Sequence, residues 1–113
     1  MKALSIDHYG LVTEEDLGVS KAGILGDLRR LTSATAVEAV SLTSHWDAWL
    51  AEDGIVNAAP INKAATGLAR GYGLLVNLRG TVVVTGANRT TGKVLGLSRG
   101  QLAILQGRLG CGR

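Results

Sequence analysis

The stretch Gly80-Thr81-Val82-Val83-Val84-Thr85-Gly86 is the clearest strand in the chain: three valines between two threonines, with a glycine at each end. Branching at Cβ restricts the side chain in a helix and suits the pleated surface of a sheet. With Leu74-Leu75-Val76 upstream, the extended region is expected to cover 74–86, and Gly80 to mark a bulge or break within it. Downstream, Thr90-Thr91-Gly92 turns the chain toward Val94-Leu95, a short further strand. Ser98 and Gln101 then have the spacing of a capping box, and Leu102, Leu105 and Leu109 stripe a closing helix.

Upstream of the valines, Pro60 leads to Asn62, a good helix cap, and Ala64, Ala65, Leu68 and Ala69 form one side of a short helix ending near Gly71 or Gly73. Further back, 36–42 and 46–50 read as strands. Asp53-Gly54 is a strong turn signal across which Ile55-Val56 is expected to pair back. Ile24, Leu25, Leu28 and Leu31 stripe another helix, with Ser20 as its expected cap. Gly23 and Gly26 weaken that helix and are expected to let it lie close against a sheet. At the start, 2–7 and 11–17 read as two strands around His8-Tyr9-Gly10, and Glu14, Glu15 and Asp16 place the second at a sheet edge facing water. The resulting order is β-β-α-β-β-α-β-(β)-α. It implies one α+β domain over 1–113, with a mainly antiparallel or mixed sheet, about three short helices on one face, and a tail at 110–113.

Charge is segregated along this order. All nine acidic residues lie at or before Asp53, where only Lys2, Lys21, Arg29 and Arg30 oppose them. The remaining sixty residues hold eight basic side chains and no acid. Such polarity steers association, with a separate partner or between copies in a homo-oligomer. If Arg70, Arg79, Arg89, Lys93, Arg99 and Arg108 gathered on one face, they would suit a phosphate backbone. Tyr72 is the only aromatic residue among them, which argues against stacking on single strands. Trp46 and Trp49, three apart on a strand, point to opposite faces. One is expected in the core, and the other is a candidate partner anchor together with Arg89 and Lys93.

Catalytic and cofactor signatures fail on spacing. The run 85–94 imitates a phosphate-binding loop, but five residues separate Gly86 from Gly92 where four are needed, and Val94 stands where the motif has a hydroxyl. A polar hairpin loop is the better reading. His8 and His45 have no second His or Cys at metal-ligand spacing, and Asp7 and His8, as strand neighbours, point apart. The lone Cys111 excludes an internal disulfide and fits a reducing compartment. No run approaches the ~20 apolar residues that cross a bilayer. No enzyme activity, cofactor, metal or membrane contact is expected.

Three stretches carry a resemblance: Asn62-Lys63-Ala64-Ala65-Thr66-Gly67-Leu68, the Gly80–Gly86 strand, and Gly92 with Leu97-Ser98-Arg99-Gly100-Gln101-Leu102. In these the chain resembles a family of small domains of unknown function encoded by actinobacterial phages and plasmids. That family opens a helix on Asn-Pro-x-Ala-Thr, follows it with a Gly-rich apolar strand and closes on a Leu-Thr-x-x-Gln-Leu type helix. Lys63 replaces the family's Pro, and 43–54 is richer in Trp. The resemblance implies a phage-type accessory protein in a host bacterial cytoplasm. The missing catalytic groups, the split charge and the Trp46/Trp49 segment point to binding of a host or phage protein, with nucleic acid on the basic half as the alternative.

Overall fold

Val82, Val83 and Val84 are all fully buried. Successive strand residues point to opposite faces, so a run of this kind requires cover on both sides of the sheet. The computed structural model, which describes residues 1–53 and 58–110, supplies it. Its elements in order are β1 (Lys2–Ile6), β2 (Val12–Asp16), α1 (Gly23–Thr32), β3 (Val37–Ser41), β4 (Trp46–Ala51), α2 (Lys63–Gly71), β5 (Val82–Ala87), β6 (Val94–Leu95) and α3 (Arg99–Arg108). They form an α+β fold around one six-stranded antiparallel sheet in the order β2-β1-β5-β4-β3. β6 continues the line of β1, pairing with Gly86 and Ala87 where β1 pairs with Val82 to Val84.

The helices do not share a face, contrary to the sequence expectation. Leu4, Ile6, Trp46, Ala48, Leu50, Val82 and Val84 pack with Ala65, Leu68 and Ala69 of α2 and Leu102 and Leu105 of α3. On the other side Ala3, Val83 and Trp49 meet Ile24, Leu28 and Leu31 of α1. The apolar central strand forces this split. Placing all three helices on one face would leave Val83 and Ala3 in water, at about 1.5–3 kcal/mol for a valine.

Asn62 ties the layers together. Fully buried, it caps α2 by accepting from the Ala65 N–H at 3.0 Å, while its amide donates to the carbonyls of Ile6 (2.8 Å) and Gly80 (2.9 Å). One side chain thus joins the end of β1, the approach to β5 and the start of α2. The capping box at α3 forms as its spacing implies, Ser98 accepting from the Gln101 N–H and the Gln101 side chain from the Ser98 N–H.

Elsewhere the local readings are corrected. Ser20 does not cap α1, whose N-cap is Ala22; its hydroxyl donates instead to buried Asp27 at 2.9 Å. Gly26 does not bring α1 close to the sheet, since a Cβ there would meet Ala22 within the helix region. The strand expected over 74–86 begins only at Val82. Before it, the Leu78 N–H donates to the Thr66 hydroxyl and its carbonyl accepts from the Asn62 N–H, so α2 and its cap claim the groups a ladder would need. Gly80, at φ +70°, breaks the run as expected. The turn at Asp53-Gly54, the pairing of Ile55-Val56, and Cys111 in the tail involve positions outside the described residues.

Candidate functional site

β4 sets its two tryptophans apart by strand alternation. Trp46 enters the core under α2, where its ring meets Tyr72 edge-on at 5.8 Å, and the Arg108 guanidinium lies 4.5 Å above the Tyr72 ring. Trp46 therefore holds structure and presents no surface to a partner. Trp49 takes the α1 face and stays half-buried. Its indole N–H donates to the Thr85 hydroxyl at 2.9 Å, which fixes the ring against β5.

Over that ring the sheet is incompletely covered. Ile24, Leu25 and Leu28 of α1 form one wall of a groove, Trp49 its floor, and Lys93 and Val94 of the β5–β6 hairpin the other wall, enclosing about 320 Å³. Leu25 is 48% exposed although it belongs to the apolar stripe of α1. Offset from Ile24, Leu28 and Leu31, it turns its side chain to the open side of the groove. The lining is apolar except for Lys93, as expected of sites that grip an apolar group and orient it with one charge.

The hairpin that carries Lys93 is built on Asn88. Its side-chain oxygen accepts from the Thr90 and Thr91 N–H groups, its own N–H donates to the Lys93 carbonyl, and its carbonyl accepts from the Gly92 N–H. These amides bond within the hairpin and do not converge on a phosphate. The imitation of a phosphate-binding loop is thus a tight turn, with Gly92 at φ +72°.

Of the other candidate cations, Arg89 stays beside Trp49 and Lys93 in the lining of an adjoining pocket, and the rest separate. Arg89 makes an ion pair with Asp47 at 2.8 Å and donates to the carbonyls of Thr43 (2.7 Å) and Trp46 (3.3 Å). It pins the β3–β4 turn to the hairpin, and its charge is met within the chain. Arg79 donates to the Ala59 carbonyl at 3.0 Å. Arg70, Arg99 and Arg108 belong to the α2–α3 layer, on the far side of the sheet from Lys93. Lys93 makes no ion pair among the described residues, nor does Arg29, which follows Leu25 by one helical turn. The structure therefore brings together Trp49, Arg89 and Lys93 out of the sequence candidates, with Arg89 already paired to Asp47. It adds Ile24, Leu25 and Val94, which periodicity alone assigns to the core.

Asp27, between Leu25 and Leu28, ties α1 to the loop that precedes it. Its carboxylate accepts from the Gly18 N–H (2.8 Å) and the Ser20 hydroxyl, with Arg30 at 3.7 Å. The Gly18 N–H first and the Ser20 hydroxyl next hold its carboxyl below the usual carboxylate value of 3.8. These bonds fasten the loop after β2 to α1 and so position the helix over the sheet.

Among the described residues no group of three or more His, Cys, Asp or Glu side chains is placed to hold a metal, and no helix is long and apolar enough to cross a membrane. Comparison with protein-family models, curated proteins and solved structures finds no match to this chain.

Proposed function

We propose that this protein is a non-enzymatic accessory protein that binds another protein through the groove over Trp49. The observation that carries this reading is the groove itself: an apolar wall of α1, a ring anchored by Thr85, and at the rim Lys93, which makes no ion pair among the described residues. A partly exposed tryptophan held rigid costs little side-chain entropy on binding, and such residues dominate interface energetics. The ligand this geometry favours is a peptide segment with one large apolar side chain beside a carboxylate. The phage or plasmid setting, a host bacterial cytoplasm and a host or phage protein as partner belong to the proposal and rest on the motif resemblance.

Selection from a random peptide library tests it. Wild type is expected to enrich apolar-acidic sequences that fail to bind Leu25→Glu, a change at an exposed position. Equal enrichment on both proteins, or none on either, contradicts the reading.

A second reading is favoured by one observation: α2 and α3 carry Lys63, Arg70, Arg99 and Arg108 and no acid, so one layer of the molecule is purely cationic. Such a layer suits a phosphate backbone. Titration of labelled duplex DNA and RNA across salt is then expected to show log affinity falling linearly with log salt. Absent binding at low salt excludes it.

A further inference from the structure

The groove has a counterpart on the same molecule. The β1–β2 hairpin ends in an apolar tip, with Tyr9 86% and Leu11 64% exposed. Asp7 builds this tip, one carboxylate oxygen accepting from the N–H groups of Tyr9 (3.0 Å) and Leu11 (2.8 Å). Tip and turn are therefore preformed, with a negative charge at the base of the apolar pair. An exposed pair of this size on a fixed turn is the kind of feature that marks a contact site.

The positions of tip and groove decide how they can meet. The tip extends from Ile6, which pairs with Val82 at one end of β5. The groove runs along β5 from Trp49, which pairs with Val83 and donates to Thr85, to Lys93 and Val94 beside Ala87 at the other end. The five steps from Val82 to Ala87 span about 17 Å at ~3.4 Å per residue. β1 is antiparallel to β5, so beyond Ile6 the hairpin leads away from this span, and the tip points toward a neighbour's groove and not its own.

The charges match as well. The groove is lined by Lys93, with Arg29 one helical turn after Leu25; the tip carries Asp7, with Glu14 two residues beyond Val12, and none of the four makes an ion pair among the described residues. We propose that the occupant of the groove is the β1–β2 tip of a second copy, Tyr9 and Leu11 entering over Trp49 with Asp7 facing Lys93. Because two different surfaces meet, the contact closes as a symmetric dimer only if both tips exchange reciprocally; otherwise it is heterologous and propagates into a ring or an open chain.

This inference rests on the groove being a protein-binding surface, and its test separates the two. Wild type is expected to show a mass in analytical ultracentrifugation that rises with concentration, and more steeply at low salt. Tyr9→Ser/Leu11→Ser and Leu25→Glu are each expected to weaken association at least about tenfold, as loss of an interface anchor does. Mixed one to one, they are expected to form a dimer and nothing larger, because one brings an intact groove and the other an intact tip. A wild type monomeric up to about 1 mM overturns the proposal. So does a mixture that stays monomeric while wild type associates. If wild type is monomeric yet library-selected peptides still distinguish it from Leu25→Glu, self-docking alone fails and the groove remains a protein-binding surface.

Discussion

Replacing Asn62 by Ala removes the cap of α2 and leaves the carbonyls of Ile6 and Gly80 without their donor. The expected cost is about 2–4 kcal/mol in urea unfolding, since each unsatisfied buried group costs about 1–3 kcal/mol. Asn62→Asp keeps the cap oxygen but sets a carboxylate against two carbonyls, so it is expected to destabilise at least as much as Ala. A milder effect for Asp would mean that the cap carries the position. Asp27 allows a test by pH. Its folded pKa is depressed, so its stabilisation is fully present above the unfolded value of 3.8 and is lost as pH falls through the lower folded pKa. The stability gap between wild type and Asp27→Asn is therefore expected to hold steady at neutral pH and to close below 3.8. A gap independent of pH would show that the carboxylate's charge is not what holds the 18–20 loop.

Within α1, two leucines three positions apart have opposite roles. Leu28 is 1% exposed against Val83 and Ala3, whereas Leu25 lines the open groove. Leu28→Ala is expected to cost about 2–5 kcal/mol, as large-to-small core changes do. Leu25→Glu is expected to stay within about 0.5 kcal/mol of wild type, as at exposed positions generally. Thermal unfolding of the pair checks both, and a large loss for Leu25→Glu would place it in the core. The same helix shows what could be read in the sequence. Its existence and apolar stripe were legible, because periodicity at 3.6 residues is a local property. Its cap was not: the Ser20 hydroxyl is drawn to Asp27, seven residues on. Asn62 and the Ser98–Gln101 box were legible because a cap and its partner lie within one turn. The false strand at 74–78 arose because Thr66 and Asn62, distant in sequence, take the backbone groups of Leu78.

For the molecule as a whole, the charge split visible in the sequence survives folding only in part. Arg89 pairs with Asp47 across the halves and Lys2 with Asp16 inside the acidic half, so ion pairs neutralise some of it. What remains divides into a cationic α2–α3 layer, an acidic β2 edge, and the cations beside the groove. The side of the sheet each helix takes was the part of the fold least legible, although the three consecutive valines of β5 already require cover on both faces. The groove was half legible: strand alternation separated Trp49 from Trp46, but the gap above Trp49 depends on where α1 ends and how the hairpin leans.

The two candidate surfaces lie on opposite faces, so one comparison decides between them: the affinity of a library-selected peptide for Leu25→Glu and for Arg99→Glu, measured side by side. Binding through the groove requires at least a tenfold loss for Leu25→Glu, about 1.4 kcal/mol, and no change for Arg99→Glu. The reverse order would move the binding surface to the helical layer and contradict the role assigned to Trp49.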